Sequence, residues 1–183
     1  MRILHLMAGA REGGAENIML ESVLALAEAG VPQAVVTRPD NEFRIAKMRA
    51  AGVEVATASF NRAWPFPTHA VITSAIRDFK PDAIECWMGR AGQFAPARWR
   101  ARSIGWYGGY YKISRFRNCA WHVGLTKDLL RHIREQGAPN ERSLIVHTYA
   151  DFEGAAPADR ASLDTPADAP VPLALARLHW TNG

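Results

Sequence analysis

The sequence predicts an α/β fold, a parallel sheet covered by helices on both faces, and three observations carry that prediction. Short apolar runs alternate with segments of helical period all the way from Arg2 to His147. A change of period from two to 3.6 and back marks strand, helix, strand. Glycines follow the helical segments at Gly30, Gly52 and Gly137, where a left-handed residue closes a helix. The first apolar run leads into a glycine-rich turn and then a helix, which is how a ligand-binding β-α unit begins.

Taken in order, Arg2–Met7 reads as a strand and Ala8–Gly14 as a loop carrying Gly9, Gly13 and Gly14. Ala15–Ala29 reads as a helix, with Met19, Leu20, Val23, Leu24, Leu26 and Ala27 on its apolar stripe. Gln33–Thr37 is a strand, Phe43–Ala51 a short helix and Val53–Thr57 a strand. Pro67–Lys80 is a helix with proline in its first turn, where the missing N–H costs nothing. Lys80-Pro81 ends it, because the residue before proline avoids the helical region. Asp82–Cys86 is the next strand, and Trp87–Gly92 a loop. A helix is expected across Gln93–Arg102, although Pro96 interrupts it. Ser103–Tyr107 is a strand followed by Gly-Gly-Tyr-Tyr. Ala120–Leu125 is a strand, Lys127–Gln136 a helix and Ser143–His147 the last strand. The expected product is a Rossmann-like sheet of seven strands over residues 1–150. Its loops Ala8–Gly14, Trp87–Gly92 and Gly108–Lys112 face one cleft beyond the carboxyl ends of the strands.

The character changes after Tyr149. Residues 151–170 are rich in alanine, proline and aspartate without a period, and read as a linker. Residues 171–183 hold a fresh apolar strand, Val171 to His179, with no helix after it. They read as the truncated first strand of a second domain.

Composition narrows the function classes. The chain has 183 residues, 48% hydrophobic and 22% charged, as in ordinary globular proteins. No apolar run reaches the roughly 20 residues of a membrane helix. The initial run breaks at Gly9, with Arg11, Glu12 and Glu16 following, so it makes no signal peptide. A cytoplasmic location is expected. Cys86 and Cys119 form no paired framework. The net charge is +4, and no acidic residue lies between Glu85 and Asp128. That window holds Arg90, Arg98, Arg100, Arg102, Lys112, Arg115, Arg117 and Lys127, a field of one sign that attracts anions or else a solvated face.

Several constellations could carry chemistry. The glycine loop opening a helix offers free amides and a positive helix end to a phosphate, although turn glycines alone would look the same. Its spacing is Gly9-x-x-x-Gly13-Gly14 rather than G-x-G-x-x-G, and Arg38-Pro39 stands where a ribose-binding acid would end the second strand. A nicotinamide cofactor is therefore disfavoured. His5 reads as strand packing and His132, between Arg131 and Arg134, as part of a solvated face. His122 follows Cys119 in a C-x-x-H, but with no second pair there is no metal site to expect. Aromatics interleave with cations from Arg98 to Arg117, a composition that stacks sugars or bases or meets membrane surfaces. Within it Trp106 reads as a buried strand residue, and Tyr110 and Tyr111 as exposed.

Three stretches together resemble glycosyltransferase family 4, the retaining GT-B enzymes. Gly13-Gly14-Ala15-Glu16 after the first strand is similar to that family's start. Cys119–Ala138, with Trp121-His122-Val123-Gly124-Leu125-Thr126, is similar to the strand and helix closing its N-terminal domain. Leu175-Ala176-Arg177-Leu178-His179 resembles the strand opening its C-terminal domain. Gly105–Phe116 also resembles a subgroup found among bacterial lipopolysaccharide and surface-polysaccharide transferases. The resemblance covers nearly the whole chain.

It implies two facing Rossmann-like domains, of which this chain is the N-terminal, acceptor-side one, inactive by itself. It implies a nucleotide-sugar donor as co-substrate with no cofactor or metal, and a glycan or glycolipid acceptor. The basic window adds peripheral contact with an anionic membrane or an acidic acceptor as an expectation, and nucleic acid is not an expected partner. By the same carry-over Gly13, Gly14 and Arg177 serve the donor diphosphate, while the basic window leads to the expectation that Arg90, Tyr110, Tyr111 and Lys112 line the cleft on its acceptor side. Arg98, Arg100 and Arg102 would form an adjacent basic face. The chain departs from the family at Asn182, where a lysine is usual, at His147-Thr148 in place of Pro-Asn, and at Ala176 in place of glycine. No catalytic residue is assigned. The alternative reading is a non-catalytic Rossmann-like module that binds a phosphorylated ligand or glycolipid.

Overall fold

The computed structural model describes residues 1–148 apart from Ala10 and Glu12, together with Pro166 and residues 168–170. The chain divides into two units, Met1–Tyr149 and Ala150–Gly183. The linker expected over 151–170 is described only at Pro166 and residues 168–170, and the strand expected over 171–183, with Arg177, lies outside the described residues.

The first unit is an α/β fold. Its strands are β1 (Ile3–Met7), β2 (Gln33–Thr37), β3 (Glu54–Thr57), β4 (Ala83–Trp87), β5 (Ser103–Tyr107), β6 (Trp121–Gly124) and β7 (Ser143–Ile145). They form one sheet in the order β3-β2-β1-β4-β5-β6-β7, and every pair is parallel. The helices are α1 (Gly14–Glu28), α2 (Glu42–Ala50), α3 (Phe66–Phe79), α4 (Met88–Gly92) and α5 (Lys127–Glu135). Short 3-10 turns lie at Ala97–Arg102, Ile113–Phe116 and Asn140–Arg142.

Alternation along the strands sends side chains into two cores. Leu4 and Leu6 of β1 join Ile84 and Cys86 of β4 beneath α3, whose Ile72, Ile76 and Phe79 cover them. Met7 of β1, Val35 of β2 and Trp87 of β4 face the other way, under Met19, Leu20 and Val23 of α1 and Met48 of α2. Each such aliphatic side chain contributes about 1.5–3 kcal/mol by leaving water. His5 is fully buried among them. Gln33 donates its amide N–H to Val23 O at 3.0 Å, so its Oε1 accepts from His5 Nε2, also at 3.0 Å. His5 Nδ1 then accepts the Trp87 indole N–H at 3.2 Å. The strand histidine is thus a polar tie between β1, β2 and β4.

One expected helix is different. The residues after β4 are not a loop followed by a helix at Gln93–Arg102. They turn at once into α4, then Pro96 begins an extended step into the 3-10 turn Ala97–Arg102. Proline fixes its own φ and lacks an N–H, so a continuous α-helix cannot run through it. Other helix and strand ends differ from the expected ones by a residue or two, as at α1 and β7, where fraying leaves the period weak.

Candidate functional site

Strands β2 and β5 lie on opposite sides of the central pair β1 and β4. The chain therefore leaves the carboxyl ends of β1 and β4 in opposite directions, and the crevice between them is where doubly wound sheets take ligands. Three loops meet there. A β-carbon placed on Gly108 would lie 3.6 Å from both Ala15 Cβ and Met88 Cγ. One on Gly89 would lie 2.7 Å from Arg115 Cδ and 3.4 Å from Tyr111 Cγ. The glycine loop, the β4–α4 corner and the Gly108–Lys112 segment thus share one edge, with Met88 held at a positive φ of 65° to make the corner.

The glycine loop is occupied from within. Glu16, in the first turn of α1, is buried. A β-carbon on Gly9 or Gly13 would overlap its carboxylate. These glycines are small because Glu16 packs on them. Gly13 is at φ 169°, extended backbone open to any residue, so the requirement is space and not conformation. Gly14 differs: nothing lies within 4 Å of where its β-carbon would be. The positive end of α1 therefore faces a carboxylate of its own first turn, with Gly14 as its open side.

Arg44, on α2, holds the loop from the other side. It donates to Arg11 O at 2.6 Å, to Asn17 Oδ1 at 2.7 Å and to Asn41 Oδ1 at 3.3 Å. It is buried, and its Nε has no partner. The sequence reading missed it, although an arginine four residues before the core methionine Met48 was a signal that it points inward.

The predicted acceptor-side residues separate. Tyr111 is half-buried at the shared edge, with the Arg115 guanidinium 5.9 Å from its ring. Burial raises its hydroxyl pKa and the Glu16 carboxylate adds to the rise, while Arg115 opposes it. Tyr110 leans toward α5 instead. It is 66% exposed, donates its hydroxyl to Asp128 and meets the His132 ring edge-on at 5.1 Å. Arg90 and Lys112 are exposed, on α4 and just before the Ile113–Phe116 turn. His132 is not on a solvated face. It is half-buried, its Nε2 lies 3.3 Å from Tyr111 O, and Gln136 of the next helical turn binds it at 2.9 Å. Gln136 also accepts Ile113 N–H at 2.9 Å and donates to Tyr111 O at 3.1 Å, which pins the 111–113 segment to α5. An i, i+4 pair facing a loop cannot be told from one facing water without the loop's position.

His122 and Tyr107 form a second buried pair, with the Tyr107 hydroxyl 3.0 Å from His122 Nδ1. Burial, then the Arg100 charge, push the imidazole pKa down to about 4. Burial also raises the Tyr107 pKa, so the phenol keeps its proton and donates it to Nδ1. The thiol of Cys86 is raised by its hydrogen bond to Cys119 and by burial. Among the described residues no group of three or more His, Cys, Asp or Glu is placed to hold a metal.

No protein-family model matches the chain. The lipopolysaccharide core biosynthesis glycosyltransferase LpsD of Rhizobium meliloti (strain 1021) is 32% identical over 186 residues, covering 100% of this chain and 53% of LpsD. A crystal structure of a glycosyltransferase from Rickettsia africae superposes with a TM-score of 0.70 at 14% identity, over 92% of this chain and 51% of that one. Anabaena HepE in complex with UDP superposes with a TM-score of 0.64 at 14% identity, over 82% of this chain and 45% of that one. Likeness at such low identity is likeness of fold, and the same fold carries many chemistries. The chain spans about half the length of the curated relative it matches, and what it shares with LpsD runs through all of its own length.

Proposed function

We propose that this chain is the acceptor-side half of a retaining, family 4 glycosyltransferase that extends a bacterial surface glycan or glycolipid, of the lipopolysaccharide-core kind. The observation that carries the proposal is the 32% identity to LpsD across the whole chain. The bound UDP of HepE, a protein of like fold, supports a nucleotide-sugar donor. No cofactor or metal is needed beyond that co-substrate. The departing diphosphate gains negative charge in the transition state, and preorganised amides and cations stabilise it most when water is excluded. In this reading Gly14, the open side of the α1 N-terminus, and Gly13 beside it serve the diphosphate; Arg177, which the resemblance adds to them, lies outside the described residues. Tyr111, with Arg90 and Lys112, faces the acceptor, while Tyr110 braces the loop on α5.

Deleting the gene that encodes the chain should shorten the lipopolysaccharide core or a related surface glycan by at least one sugar, read by mass spectrometry. A wild-type copy should restore it. Surface glycans of unchanged mass would overturn the transferase reading in favour of a binding module.

Among the described residues no helix is long and apolar enough to cross a membrane. We place the contact with the anionic membrane surface at Arg98, Arg100 and Arg102, all exposed on the Ala97–Arg102 turn. Each cation near such a surface contributes about 1 kcal/mol. Replacing all three by glutamine should weaken co-sedimentation with phosphatidylglycerol vesicles at least tenfold at low salt. Equal binding by variant and wild type contradicts the assignment.

A further inference from the structure

Two aromatic rings stand in water at the tip of the connection from β3 to α3. Trp64 is 62% exposed and Phe66 is 66% exposed, and their rings meet edge to face at 5.2 Å. The connection that carries them is braced at its root. Phe60 is buried, turns the chain at a φ of 50° and packs edge-on against Phe94 at 5.3 Å. Its N–H donates to the hydroxyl of buried Thr68 at 3.0 Å. A bulky residue keeps such a φ only where its surroundings hold it. Asn61 Oδ1 then accepts the Ala63 N–H at 2.9 Å and the Trp64 N–H at 3.4 Å, and prolines stand on both sides of Phe66 with φ fixed by their rings. Single exposed apolar residues are ordinary, but two large rings in contact on a braced loop mark an interaction surface.

The surroundings say what that surface meets. No acidic residue lies between Glu54 and Asp78, and none between Glu85 and Asp128. The two stretches adjoin in the fold. Arg62 and Pro65 from the first and Arg117 from the second line one cavity, and Arg117 O accepts from Arg100 Nε at 3.1 Å. Arg62, Arg117, Arg98, Arg100 and Arg102 are all exposed. The aromatic pair therefore borders a surface to which both stretches bring cations and neither brings a carboxylate. Rings beside cations are the composition of a protein surface at the lipid headgroups, where indole and phenyl groups settle and arginines meet anionic phosphates. A glycan asks for something else. The ring planes are 72° apart, so no pyranose can lie flat across both, and the side chains of Ala63, Pro65 and Pro67 offer a hydroxyl no hydrogen bond.

We propose that Trp64 and Phe66 insert into the headgroup layer of an anionic membrane. The inference deepens the membrane contact placed above at Arg98, Arg100 and Arg102, and rests on it for anionic lipid as the partner. It also gives that contact a direction. The strands are all parallel, so the connection leaving Thr57 lies on the same edge of the sheet as the glycine loop and the loops after β4 and β5. Insertion of the pair turns that edge toward the lipid, where a glycolipid acceptor is presented.

The test is co-sedimentation of the chain with vesicles of phosphatidylglycerol and phosphatidylcholine, at low salt and at about 0.5 M salt, where the Debye length is only about 4 Å. The wild type should keep a measurable part of its binding at high salt, because ring insertion is not screened. Trp64→Ser with Phe66→Ser should weaken binding at low salt about tenfold or more and abolish the salt-resistant part. Phe43→Ser, which removes an equally exposed ring beside Asp40 and Glu42, should change neither. Brominated acyl chains should quench the tryptophan emission of the wild type. Trp64→Phe should lose most of that quenching and still sediment. Both rings are exposed, so thermal unfolding should show the double variant intact. Equal sedimentation of the double variant and the wild type would overturn the insertion and leave the arginine contact standing. Loss of binding in the double variant, with none when Arg98, Arg100 and Arg102 are replaced by glutamine, would keep the insertion and overturn the arginine placement. A wild type that ignores the vesicles would overturn both. An emission change with lipid-free maltoheptaose as large as that with vesicles would overturn the insertion in favour of a glycan platform.

Discussion

Phe116→Ala is expected to destabilise the first unit by about 3–5 kcal/mol, the range for a buried aromatic cut to a methyl group. Phe116 is fully buried although it sits in a four-residue 3-10 turn between two loops. Its ring stacks on Tyr107 at 4.0 Å, with 30° between the planes. It also presses on the backbone of α4 and β5, so that a β-carbon on Gly92 or Gly105 would overlap it. The cost depends on how far the walls can close over the gap. Here two walls are glycine backbone held in a helix and in the sheet, and backbone cannot fold into a hole as a methionine side chain does. The loss should therefore fall toward the upper end, and the Ile113–Phe116 turn should lose its anchor. Urea unfolding of the wild-type and variant chains measures it, and a loss below about 1.5 kcal/mol would show that the ring is not the anchor described.

The second large effect is a dependence of stability on pH that belongs to His122. In the unfolded chain a histidine titrates near 6.5. In the fold the His122 pKa is pushed down to about 4, chiefly by burial and then by Arg100. Above pH 6.5 both states are neutral at this residue and its packing counts in full. As pH falls below 6.5 the unfolded chain binds a proton that the native state refuses, so stability drops. The drop stops near pH 4, where the native imidazole also protonates. Linkage makes the loss between pH 7.5 and 4.5 about 2.5 kcal/mol. Protonation would also turn Nδ1 from an acceptor into a donor and cancel its bond from Tyr107. The His122→Gln variant lacks this titration and leaves the other histidines of the chain in place. Its urea midpoint should fall less with pH than that of the wild type, and parallel curves for the two proteins would refute the assignment.

Both effects depend on residues whose importance the sequence half displays. His122 is visible as a histidine in an apolar strand, but its partner Tyr107 comes from β5, and only the β5–β6 pairing brings the two rings together. Phe116 looks like one more aromatic in a basic stretch. It becomes a core residue because Gly92 and Gly105, far apart in the chain, leave a hole of its shape.

Apart from the segment after β4, the order and type of the elements were determined by the sequence alone, because strand and helix periods are local properties and each helix end carries its own glycine or proline. The parallel sheet follows from that alternation, since short connections and right-handed crossovers leave few other arrangements. Site chemistry was decided by the tertiary structure. The glycine pattern does not say what packs on the loop, and only the fold shows Glu16 lying against Gly9 and Gly13 while Gly14 stays open. The Gly-Gly-Tyr-Tyr segment gives its two tyrosines equal standing, yet Asp128 and His132 draw Tyr110 to α5 while Tyr111 stays beside Arg115. The physical reason is the same in each case: packing and hydrogen bonding act between residues distant in sequence, and their partners are settled only when the sheet order places three loops and a helix end on one edge.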